Sequence, residues 1–135
     1  MEHTVIETTI EINAPLNKVW SVFTDPEITQ QMGGYYDTDW EIGHSFGFKK
    51  AGGNQLTKGT LLDFQPKRLI RHSLIEPGTE TIMAVLTYEF LEKDEITLLT
   101  GKEELTHPLD KATFDDACAG WAAALDSVKR IAEAL

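Results

Sequence analysis

Gly43-His44-Ser45-Phe46-Gly47 matches the G-x-S-x-G pattern of a nucleophile elbow, in which a serine sits on a strained turn from a strand into a helix. That chemistry also needs an acid and then a histidine later in the chain. Here Phe48-Lys49-Lys50 and a Gly-Gly turn follow, which is a strand pattern, and 135 residues are too few for an α/β-hydrolase sheet. Ser45 therefore reads as a glycine-flanked strand start. Asp37, Asp39 and Glu41 alternate as carboxylates do in a calcium loop, but an EF-hand needs glycine at its sixth place and glutamate at its twelfth, where this chain has Ile42 and Phe48. These acids read instead as the wet face of a strand.

His3, His44, His72 and His107 share no ligand spacing, and no C-x-x-C or H-E-x-x-H occurs, so no metal is expected. Gly33-Gly34 leads into Tyr35-Tyr36 rather than a helix, which removes the usual phosphate cradle and with it any expected cofactor. What remains is aromatic: Tyr35, Tyr36, Trp40, Phe46, Phe48, Phe114 and Trp121. Singly each reads as core; together they suit a cavity for an apolar ligand. Asp63 and His72 are polar residues on central strands, and either, if inward, would orient a ligand hydroxyl or carbonyl. Alternation leaves their direction open, because both have apolar neighbours on each side.

Composition narrows the partners. A hydrophobic content of 41% and a charged content of 25% are those of a globular protein, expected here as one domain over 1–135. The net charge of −10 repels nucleic acid and anionic membrane, so neither is an expected partner. Met1-Glu2-His3-Thr4 is acidic and runs straight into a strand pattern, which argues against a signal peptide and for a cytoplasmic protein, monomer or weak dimer. The single cysteine, Cys118, has no internal disulfide partner and lies on a dry helical face, where it reads as a small hydrophobe.

The elements that must position these residues follow from periodicity. Residues 4–13 alternate as a strand; Leu16, Val19, Trp20 and Phe23 form a short helical stripe with Pro15 suited to its first turn; Asp25-Pro26 starts a second short helix running to about Met32. Six strands are expected next, at 35–42, 45–50, 56–65, 68–75, 81–92 and 95–105, separated by short turns that make them antiparallel neighbours. In the fifth of these, Ala84, Leu86, Tyr88 and Phe90 share one face.

Lys111 to Leu135 is the longest helical pattern, with Phe114, Ala117, Cys118, Trp121, Leu125, Val128, Ala132 and Leu135 on one stripe. Thr113 and Asp116 read as a variant capping box, and Lys129 and Arg130 suit the carboxyl end. The middle of the stripe is small: Ala117, Cys118, Gly120 and Ala124 surround Trp121. Either a sheet approaches closely there or space is left for a ligand.

Taken in order, Ala14-Pro15 with Val19-Trp20, Thr24-Asp25-Pro26-Glu27, Gly43-His44-Ser45-Phe46, Gly59 through Pro66 to Leu69, Leu86-Thr87-Tyr88-Glu89-Phe90, and Gly120-Trp121 with Leu125 and Lys129 carry a likeness over essentially the whole chain. The sequence resembles the homologues of the activator of heat-shock-chaperone ATPase (AHSA-type), in the START-like, SRPBCC superfamily. It departs from that family where His44 replaces a frequent glycine and Gln31 or Met32 a frequent tryptophan. The resemblance implies an α+β helix-grip fold, pollen-allergen-like, in which a curved antiparallel sheet of six to seven strands grips the last helix around an apolar cavity.

The function this favours is binding of an apolar or amphipathic small molecule: a lipid, a polyketide or an aromatic metabolite. The expected ligand-binding residues are Met32, Tyr35, Trp40, Phe46, Phe48, Asp63, His72, Phe114, Cys118 and Trp121, with no catalytic residue assigned. Two other functions stay open. One is a co-chaperone-like interaction domain that stimulates a heat-shock chaperone ATPase, although no residues are left over for the separate amino-terminal domain of the family's co-chaperone. The other is a cyclase- or hydrolase-type enzyme using the same cavity.

Overall fold

Period-two alternation makes Val5–Ile12 a strand, β1, with Ile6 and Ile12 buried and Glu7 and Glu11 in water. The computed structural model describes residues 3–135; Met1 and Glu2, at the head of the acidic amino terminus, lie outside the described residues. After β1 comes α1 (Leu16–Thr24), which buries Val19, Val22 and Phe23. Pro15 occupies its cap rather than its first turn, and α1 has no side-chain cap of its own. A carboxylate oxygen of Glu92 accepts from the Leu16 N–H at 2.8 Å instead, placing negative charge at the positive end of the helix.

Asp25 accepts from the Glu27 N–H at 3.1 Å and Pro26 opens α2 (Pro26–Thr29). A 3₁₀ turn over Gln30–Met32 follows and ends at Gly33, whose φ of 96° is left-handed. The sheet then continues through β2 (Gly34–Asp37), β3 (Ser45–Lys50), β4 (Gln55–Gln65), β5 (Leu69–Ile75), β6 (Ile82–Lys93) and β7 (Ile96–Leu105). Seven antiparallel strands run in the order β1-β7-β6-β5-β4-β3-β2, so the first strand lies beside the last. Register shifts in the β3/β4, β4/β5 and β5/β6 pairs add twist, and the sheet curls.

The strand expected over 35–42 stops at Asp37. Beyond it the side chains of Thr38 and Asp39 accept from the N–H groups of Trp40 and Glu41, at 3.1 and 2.9 Å, so the backbone turns instead of extending a ladder. Trp40 takes a φ of 62°, which carries its ring in against Tyr36, Phe46 and Phe64.

The closing helix, α3 (Lys111–Ala134), is 24 residues long and about 36 Å. Its cap is Asp110, which accepts from the Thr113 N–H at 2.8 Å; Thr113 and Asp116, read above as a capping box, lie inside the helix. Trp121, Leu125, Val128, Ile131 and Ala132 form the buried stripe, while Leu135 is exposed. The carboxyl half of α3 is tied to the start of the chain: Glu133 accepts from the Asn13 N–H at 2.8 Å, and Lys129 donates to the Glu11 carbonyl at 3.0 Å. The helix therefore sits over β1, β7 and α1. Strands β3 to β6 are covered less closely, and their inner face is where space opens.

Candidate functional site

That space is a cleft of about 310 Å³, bounded by the 3₁₀ turn, the inner face of β3 to β6 and the middle of α3. Met32 stands at one wall. Phe46 and Phe48 come from β3 and Thr57 from β4; His72 and Leu74 come from β5, Leu86 and Tyr88 from β6, and Ala124 and Ser127 from α3. Tyr36 of β2 completes the lining, its ring 5.3 Å from Phe46 and 5.2 Å from Phe48. Each strand contributes alternate residues, as a pleated surface must. A shallower groove continues past Ala124 to Gly120, Ala117 and Trp121, sharing Leu86 and Tyr88 with the cleft.

His72 is the polar centre of this surface. It is 5% exposed, with Leu61 and Leu86 opposite it on the neighbouring strands. Its ring stacks on Phe46 at 4.2 Å and 27°, with Tyr88 on the same stack at 6.3 Å and 20°. Nδ1 lies 3.0 Å from the carbonyl oxygen of Ser73, an acceptor only, so Nδ1 carries the proton and Nε2 presents a lone pair. Burial disfavours the imidazolium and brings the His72 pKa down to about 4, so the ring is neutral near pH 7. Tyr88 is pushed up to about 12 by burial, and Tyr36 is raised well above the ordinary phenol value by burial and by the neighbouring Tyr88 hydroxyl. Both phenols keep their protons. Among the described residues no carboxylate, lysine or arginine lines the cleft.

The residues singled out in the sequence separate into groups. Met32, Phe46, Phe48 and His72 line the cleft, and Trp121 lines the adjoining groove. Trp121 is fixed by an Nε1 hydrogen bond of 2.7 Å to Glu103 and by packing on Gly101, where a Cβ would overlap the indole. Asp63 is elsewhere. A register shift between Leu61 and Asp63 puts Leu61 opposite His72 on the inner face but Asp63 opposite Arg71, and the Asp63 carboxylate turns back to its neighbour's N–H at 2.8 Å. Tyr35 pairs with Lys49 on the face opposite Tyr36 and does not line the cleft. Trp40 packs behind the cleft wall, Phe114 stacks on His3 at 4.7 Å, and Cys118 is half-buried against the core.

Tyr36, Tyr88, Leu74, Leu86, Thr57, Ala124 and Ser127 also line the cleft, although none is among the expected ligand-binding residues; Tyr36 belongs to the aromatic set and Ala124 to the small interval of the last helix. The signal for Leu86 and Tyr88 was present, since they share a face with Ala84 and Phe90. Tyr36 needed one more step, the parity that puts it and not Tyr35 on the side of Gly34, which lies against the Phe48 ring.

Ser45 opens β3 and no helix follows it, so the G-x-S-x-G string makes no elbow. Asp39, Glu41 and His44 bring one potential ligand atom each within 4.8 Å of one another, all exposed, with His44 Nδ1 already 2.7 Å from Asp39. Among the described residues no helix is long and apolar enough to cross a membrane.

A curved antiparallel sheet holding a long closing helix, with an apolar cleft between them, defines the helix-grip class. Residues 13–133 match the family described as Activator of Hsp90 ATPase homolog 1-like protein, and the chain belongs to that family. Among curated proteins no sequence match is found. Solved structures share the fold: ChR145 from Cytophaga hutchinsonii has 20% sequence identity and a TM-score of 0.78, over 98% of this chain and 96% of that one. CalU16 from Micromonospora echinospora has 22% identity and a TM-score of 0.76, over 95% of this chain and 75% of that one. The Aha1 dimer from Colwellia psychrerythraea has 15% identity and a TM-score of 0.75, over 96% of each chain.

Proposed function

We propose that this protein, acting as one unit in the cytoplasm, binds an apolar or amphipathic small molecule in the cleft between α3 and strands β3 to β6. The observation that carries this reading is the cleft itself: about 310 Å³, with walls of Met32, Phe46, Phe48, Leu74, Leu86 and two tyrosines around one neutral imidazole. A ligand burying roughly 200 Å² of apolar surface there gains roughly 5 kcal/mol before the cost of immobilisation, which corresponds to weak to moderate affinity. The lining residues include no carboxylate to pair with His72 as acid and base, which favours binding over turnover.

The family's description supports a second reading, docking to a heat-shock chaperone, and the dimer reported for the Colwellia protein makes weak self-association part of either reading. A thermal-shift screen of neutral and charged amphiphiles, followed by mapping of NMR shifts, tests the first. Stabilisation with shifts confined to Phe46, His72, Tyr88 and Ala124 is the expected result. No stabilisation by any compound, together with near-stoichiometric retention of a chaperone in a pull-down, would overturn it.

A further inference from the structure

We infer that the cleft selects an uncharged ligand which donates one hydrogen bond, from a hydroxyl or an N–H, to Nε2 of His72. This rests on the binding reading above and narrows it. Every fully buried side-chain nitrogen and oxygen of the described residues has a partner, yet Nε2 of His72 has none among them. Since His72 is buried and lines the cleft, Nε2 is open to the cleft. The tautomer is fixed from behind by the Ser73 carbonyl at 3.0 Å, and the ring plane is fixed by Phe46 at 4.2 Å. The protein thus holds out an oriented acceptor within a mostly apolar surface, and a ligand that covers it without supplying a donor leaves it unpaired, which is costly.

Charge selection follows from the same wall. Among the described residues the cleft lining offers no cationic side chain to accompany a carboxylate or phosphate. The imidazole offers a lone pair, which repels an anionic oxygen and attracts a donor hydrogen. A chain of net charge −10 adds a general repulsion of anions. A cationic ligand would lose its hydration with no carboxylate among the described residues lining the cleft; Glu103, in the adjoining groove, is already engaged by the Trp121 N–H. The ligand class is therefore a neutral amphiphile, such as a phenol, an alcohol or an amide, of the size of a fused bicycle.

Three probes of one shape separate the possibilities: 2-naphthol, 2-methoxynaphthalene and 2-naphthoate, titrated by calorimetry into the full chain at pH 7.5. Naphthol is expected to bind about 5- to 10-fold more tightly than methoxynaphthalene, the factor of one neutral hydrogen bond, although methoxynaphthalene is the more apolar molecule. Naphthoate is expected to bind more weakly than either. His72→Phe, which keeps a ring on Phe46 but removes the acceptor, should bring the ratio of naphthol to methoxynaphthalene affinity down to about one, whatever it does to the binding of both. Equal binding of naphthol and methoxynaphthalene, or tighter binding of naphthoate, overturns the inference and leaves the cleft a binder. Absence of binding by all three overturns the binding reading as well. The wild-type series decides the matter by itself should His72→Phe not fold.

Discussion

His72 makes the stability of the fold depend on pH. Its folded pKa of about 4 lies below the ordinary value of 6.5, so between these two the unfolded chain takes up a proton that the folded protein refuses. The stabilisation is fully present above pH 6.5 and is lost as pH falls towards 4, by roughly 3 kcal/mol in all. Urea unfolding at pH 7 and pH 4.5 should show a loss in the wild type that is much smaller in His72→Phe; equal losses would remove His72 as the cause. Gly101 is a second residue with a sharp consequence. A methyl group there would overlap the Trp121 indole, which is itself held by Glu103, so Gly101→Ala is expected to cost about 2 kcal/mol, read as a lowered urea midpoint. Neither effect was legible in the sequence. The direction of His72 depends on strand parity, and Asp63 would have followed the same parity had β4 not shifted register between Leu61 and Asp63.

Among the elements, α3 is legible in the sequence because 3.6-residue periodicity survives tertiary context, and only its cap differs from the expected one. Asp110 is a stronger acceptor for the first turn than Thr113 would have been, and it stands one residue before the helix. Of the small residues in the middle of α3, Ala117 and Gly120 border the groove, while Ala124 borders both the cleft and the groove. A side chain added at Gly120 meets nothing within 4 Å. Ala124→Trp is therefore expected to abolish ligand-induced stabilisation while changing the melting temperature of the free protein little; retained binding would place the ligand elsewhere. The strand expected within 35–42 is present but ends at Asp37: short side-chain acceptors at Thr38 and Asp39 compete with the ladder, which alternation alone does not show. The β6/β7 hairpin is a further element with a test. Asp94 and Glu95 both have positive φ, 53° and 64°, between paired Lys93 and Ile96, as in a type I′ turn. Replacing Glu95 by glycine relieves a conformation that glutamate resists, with an expected gain of about 0.5–1 kcal/mol in chemical denaturation.

At the scale of the whole molecule, the order of elements and the antiparallel sheet were legible because turn residues punctuate the chain at every joint. The volume left inside was not, since it depends on how far α3 stands from β3 to β6 and not on any local pattern. The overall charge also acts at this scale. With a net charge of −10 and most ion pairs exposed, the folded state repels itself, so raising salt from low to physiological concentration is expected to raise the melting temperature by screening. A flat or falling dependence would mean that the local pairs outweigh the net repulsion.

The neighbouring positions of β1 and β7 bear on how the chain acquires its structure in time. Ile6 and Ile12 have no strand partner until residues 97–104 have been made, because Val5 pairs with Glu104 and Ile12 with Thr97. A ribosome releases the amino-terminal strand and α1 long before it releases the surface that covers them. The sheet can grow from β2 to β7 by successive hairpins, each closing a short loop, but the final strand to join is the first one synthesised. Until then its isoleucines and the Val19, Val22 and Phe23 face of α1 lie open to solvent, and a nascent chain in that condition is the one most exposed to aggregation.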